Sequence, residues 1–132
     1  MKTALLVTDA YLVGLSVVVA LVVYPAFRLV GPSEWPTFHR RHTKAMGLAV
    51  APVWFLQGAL SAWWILSGAD RLGALVHGSF ALFTVVATAF GAVPQHNRLA
   101  AQQSAVYQDK LEMWHWLRTM AWIAALAVVL AN

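Results

Sequence analysis

The chain has 132 residues, of which 61% are hydrophobic and 11% charged, with a formal charge of +4 and no cysteine. Its mean hydropathy is +0.66. This balance excludes an ordinary soluble domain and a nucleic-acid partner, and the missing cysteines exclude disulfides, thiolate metal sites and thiol catalysis.

Four apolar segments stand out, at about residues 4–24, 45–66, 72–93 and 111–131. Each is long enough to cross a hydrocarbon core of ~30 Å. Backbone groups in lipid must bond to one another, so the segments are expected to be helices. Short connections predict an all-α, four-helix transmembrane bundle, up-down-up-down, with residues 1–132 as a single integral membrane domain. Lys2 and the apolar run behind it imitate a signal peptide. No small-x-small cleavage site interrupts the run before Tyr24, so a retained first helix is expected.

Lysine and arginine placement predicts the topology. Lys2 and Arg71 fall on the side of the termini. Arg28, Arg40, Arg41, Lys44, Arg98, Lys110 and Arg118 fall on or near the other side. That asymmetry places the first and third loops in the cytoplasm and both termini outside, taken here as the topology in a bacterial inner membrane.

In chain order, helix 1 carries Asp9 about two turns in, and Tyr24-Pro25-Ala26-Phe27 is expected to end it at the interface. Residues 31–36 read as loop, with Ser33 capping a short interfacial helix through Thr43. On helix 2, His39, His42, Thr43, Met46, Val50, Val53 and Gln57 share a face. Pro52 should kink that helix and free a carbonyl near Leu48. Ser67-Gly68-Ala69-Asp70 is a tight turn. Helix 3 holds His77 about two turns in, carries small residues for close packing, and is expected to end at Pro94. Residues 97–110 are too polar for lipid and should extend helix 4 or lie along the surface. Glu112, His115 and Thr119 then share one face of helix 4.

This topology gathers Tyr24, His39, His42, His96, Asn97, Glu112, His115 and Arg118 at the cytoplasmic end. His39, His42, His96, His115 and Glu112 supply donors that suit a transition metal such as iron, copper or zinc. A carboxylate-bridged di-iron site needs more glutamates than the chain has. A bis-imidazole haem needs only His39 or His42 with His115. Arg118 either snorkels to the interface or clamps an anion with Glu112 as its partner. Tyr24 and Trp114 could wall an aromatic ligand pocket. Asp9 and His77 share a depth near the outer end. They read either as a proton relay or as a polar pair that sets helix register.

Tyr24-Pro25-x-Phe27, Phe38-His39…His42, Pro94-x-x-Asn97-Arg98-Leu99 and Trp114-x-x-Leu117-Arg118-Thr119 together resemble the anthrone oxygenase-like family of small four-helix membrane proteins. The resemblance covers nearly the whole chain. Through fungal members it implies oxidation of an anthrone to an anthraquinone by dioxygen. It places Asn97, Trp114 and Arg118 at positions that match the family pattern.

Two functional readings stand side by side. In the first, the chain is an oxidoreductase or oxygenase for a lipophilic aromatic or quinone-like molecule entering from the bilayer. His115 or His42 is the base, oriented by Glu112, and Arg118 or Asn97 steadies the oxyanion. In the second, it is a non-enzymatic metal or haem binder, a homo-oligomer, or an accessory subunit of a larger membrane complex.

Overall fold

The apolar runs resolve into four long helices: α1 over Lys2–Phe27, α2 over Trp35–Ser67, α3 over Arg71–Ala101 and α4 over Ala105–Ala131. The computed structural model describes all 132 residues and contains no strand. All four helices are long and apolar enough to cross a membrane. Each packs on its neighbours in sequence, and α1 closes the ring against α4. The result is an up-down-up-down bundle. Leu21, Leu48, Phe55, Leu66, Leu82 and Phe90 are exposed on its outside, as lipid-facing side chains should be.

The helices are longer than their apolar cores. No break separates an interfacial helix from α2, which runs unbroken from Trp35. Pro36 stands in its first turn, where the missing N–H costs nothing. Ser33 does not cap this helix; its hydroxyl donates to the Glu34 carboxylate at 2.7 Å. Trp35 ties the start of α2 to the end of α3 by donating from Nε1 to the Leu99 carbonyl at 2.8 Å. The polar stretch expected to prolong α4 is divided. Residues up to Ala101 prolong α3, and α4 begins at Ala105.

Pro25 and Pro94 do not end their helices. Each follows a wide π turn, Val19–Val23 in α1 and Ala87–Ala92 in α3. Proline offers no N–H and its ring crowds the carbonyl four residues back. A widened turn absorbs both defects and lets the helix continue. The Tyr24 carbonyl beside this defect accepts from Gln108 Nε2 at 2.9 Å. Pro52 lies inside α2, and the Ala49 carbonyl one turn before it accepts the Tyr11 hydroxyl at 3.1 Å. At the opposite end, Gly68 takes φ 71°, a left-handed conformation that suits glycine, and closes the α2–α3 turn. Asp70 follows, and its carboxylate accepts from the Gly73 amide at 3.3 Å.

Candidate functional site

Between α2 and α3, in the half of the bundle nearer the basic loops, lies a cavity of about 640 Å³. Tyr24, His39, His42, His96, Asn97 and Arg118 line it together with apolar residues including Val50 and Trp54. Tyr24 and His96 both follow π turns, each close to a proline, and the Tyr24 hydroxyl lies 3.4 Å from His96 Nε2. His96 Nδ1 lies 3.2 Å from His39 Nε2. Tyr24, His96 and His39 therefore form a chain that can be polarised in either direction. A proton can move along it without moving a heavy atom. His42 packs edge-on against Phe27, with ring centroids 4.8 Å apart, and its nitrogens make no hydrogen bond within the protein.

Arg118 is thirteen residues into α4, ~20 Å from the start of the helix. It does not snorkel. Nη1 donates to Thr88 Oγ1 at 3.0 Å, Nη2 donates to His115 Nδ1 at 2.9 Å, and the guanidinium lies 5.1 Å over the Trp122 ring. No carboxylate pairs with it. Its Nε is buried without a hydrogen-bond partner.

His115 is turned away from the cavity. Its Nε2 lies 2.8 Å from the Ser16 carbonyl, which can only accept. Nε2 therefore carries the proton, and Nδ1 is free to accept from Arg118. Thr119 and Ser16 join their hydroxyls beside this ring.

The second polar centre occupies the other half of the bundle. His77 Nε2 stands 3.0 Å from Asp9 Oδ2, and both side chains are fully buried. Ser61 donates to the Gln57 carbonyl at 2.7 Å, so its oxygen accepts from His77 Nδ1 at 3.0 Å. One proton then lies between His77 Nε2 and Asp9 Oδ2. Gln57 Nε2 donates to Asp9 Oδ1 at 2.6 Å, while Gln57 Oε1 accepts from Trp122 Nε1 at 3.2 Å. Trp122 thus touches both polar centres.

No family model, curated protein or solved structure matches the chain.

Several expected site residues are placed elsewhere. Glu112 neither orients His115 nor pairs with Arg118. It meets Arg28 at 3.0 Å and Gln108 at 3.4 Å at the bundle's edge, because its side chain leaves α4 toward the first loop. Asp109 also meets Arg28, at 2.8 Å, and that hydrogen bond raises the arginine's pKa. Trp114 does not wall the cavity. Its ring fills the space that a Cβ on Gly91 would occupy, so it packs α4 on α3. Asn97 stands at the cavity rim without a hydrogen bond to the protein.

The four imidazoles expected to ligate a metal do not form one donor set. His39 and His96 bond to each other, His115 spends both nitrogens on Ser16 and Arg118, and no group of three His, Asp or Glu is arranged to hold an ion. An arginine cation lining the same cavity opposes a metal further. A bis-imidazole haem through His115 meets the same obstacle, since Tyr24 also covers that ring, edge-on with centroids 4.9 Å apart. The cavity suits an anionic oxygen better than a cation. The sequence alone gives no partner to Ser16, Thr88, Gln57, Ser61 or Trp122. A serine, threonine or glutamine in an apolar helix announces some partner without saying which.

Proposed function

We propose that the cavity binds a flat, lipophilic molecule carrying an acidic oxygen, a quinol or enolised aromatic, and that the protein oxidises it with dioxygen. Arg118 carries this reading: a cation midway along a membrane helix, with no carboxylate and with an unpartnered Nε, needs an anion from outside the chain. The motif resemblance to anthrone oxygenase-like proteins points to the same substrate class.

In this reading His42, whose nitrogens are free, takes the proton of the acidic O–H, and Arg118 pairs with the oxyanion. The chain Tyr24–His96–His39 receives the second proton. The substrate gives up two electrons and two protons and becomes the quinone. Dioxygen takes up two electrons and two protons and leaves as hydrogen peroxide. Asn97 at the rim offers its amide to a second oxygen of the ligand. Both termini lie outside a bacterial inner membrane, so the cavity opens in the half of the bilayer nearer the cytoplasm.

The test uses the purified protein in lipid nanodiscs, with tryptophan fluorescence to read binding. An acidic hydroxynaphthoquinone should bind roughly thirtyfold more tightly than its O-methyl ether, and Arg118→Met should erase that difference. Equal affinities in the wild-type protein would sink the reading. Oxygen uptake with the quinol as substrate separates oxidation from carriage.

A further inference from the structure

We infer that the ligand reaches Arg118 sideways out of the lipid, through an opening between α2 and α3, and that Gly47 sets the width of this opening. The inference rests on the reading of the cavity as the site of a flat, lipophilic molecule with an acidic oxygen. Two cross-links tie α2 to α3 on either side of the opening. Nearer the termini, Trp54 Nε1 donates to Thr84 Oγ1 at 2.9 Å. Nearer the basic loops, His39 Nε2 lies 3.2 Å from His96 Nδ1. No hydrogen bond joins the two helices between these points. Thr88, which accepts from the Arg118 guanidinium, stands on α3 between them. The gap is therefore level with the cation.

Gly47 on α2 and Val93 on α3 line the cavity and are also exposed on the outside of the bundle. A Cβ at Gly47 would meet no heavy atom within 4 Å, so the wall is open there. Gly47 follows shortly after Lys44, where the basic entrance of α2 gives way to its apolar run. Pro36, Arg40, Asn97 and Ala100 form another mouth, beside the basic loops. Two things turn the ligand away from it. Inside that mouth the His96 ring stands 5.4 Å from His39 and 6.1 Å from His42, centroid to centroid. Rings at that spacing are already in contact, and a fused-ring molecule does not pass between them. Such a molecule also gathers in lipid, because its apolar surface is driven out of water. Its concentration is highest outside Gly47 and lowest at the charged mouth.

The experiment uses the full chain in nanodiscs and follows binding of the acidic hydroxynaphthoquinone by stopped-flow tryptophan fluorescence. A side chain that narrows a passage slows entry and exit alike and leaves the equilibrium where it was. One that touches the bound ligand changes Kd. Gly47→Phe should therefore lower the association and dissociation rates together by about tenfold and keep Kd within about threefold. Val93→Phe narrows the same opening from α3 and should do the same, which keeps the test intact if one variant does not fold. Ala100→Phe, at the other mouth, should change neither rate by more than about twofold. Slow entry in Ala100→Phe with normal rates in Gly47→Phe and Val93→Phe would put the entrance beside the basic loops and overturn the proposal. A raised Kd with faster dissociation would make Gly47 a contact of the bound ligand and overturn it too. Saturable binding whose rates ignore all three variants overturns the route and leaves the site. If the wild-type protein shows no saturable binding, the reading of the cavity fails and takes the route with it.

Discussion

Arg118 and His115, one turn apart on α4, hold each other through a hydrogen bond of 2.9 Å from Nη2 to Nδ1. The opposite nitrogen of the same ring donates to the Ser16 carbonyl on α1. The imidazole is thus a strut between a backbone carbonyl and a guanidinium, and it positions Arg118 without touching the cavity. His115→Phe should keep the fold and lower affinity for the acidic hydroxynaphthoquinone at least tenfold, while the O-methyl ether binds as before. Nitrogen NMR at neutral pH should find the ring in its Nε2–H tautomer. An Nδ1–H tautomer would contradict the strut.

Arg118→Lys distinguishes a planar donor from a mere charge. Lysine cannot donate to Thr88 and His115 and still offer a further N–H to a ligand in the same geometry. It should lose most of the roughly thirtyfold preference for the acidic ligand. Full retention would show that charge alone suffices.

Glu112 gives the opposite expectation. It pairs at 3.0 Å with Arg28, whose side chain is 43% exposed. Exposed pairs of this kind contribute about 0–1 kcal/mol. Glu112→Gln should leave ligand affinity and oxygen uptake unchanged and shift unfolding by no more than about 1 kcal/mol. A loss of turnover at unchanged stability would restore the glutamate to the site.

Asp9 and His77 are fully buried and depend on one another. Removing one partner of such a pair costs about 3 kcal/mol or more, because the other is left uncompensated. Asp9→Ala should lower thermal stability in detergent by that order. In a His77→Ala background the same change should cost much less. Additive losses would mean that the two side chains act separately.

Gly91 meets the Trp114 ring where a Cβ would stand. Gly91→Ala should destabilise the α3–α4 contact by about 1–3 kcal/mol, and Trp114→Leu should recover most of that loss. Unfolding of the single and double variants checks it.

Span length, apolarity and the short connections were enough to predict four membrane helices in an up-down-up-down bundle. They are properties of contiguous residues, and lipid leaves the backbone no alternative. The meeting of Asp9 with His77 was also within reach, because helix rise gives each residue its depth. The prolines were harder. Pro25 and Pro94 read as stops, and whether a proline ends a helix or follows a widened turn depends on the packing around the defect; beside Pro25, Gln108 on α4 bonds the Tyr24 carbonyl. The partners of the polar side chains lay beyond the sequence altogether. Periodicity puts Glu112 and His115 on one face of α4, yet one reaches the first loop and the other reaches Ser16 on α1. A few tens of degrees of rotation about the helix axis separate those outcomes. Packing against remote helices sets that angle, which is why Arg118 was left facing the cavity without a carboxylate.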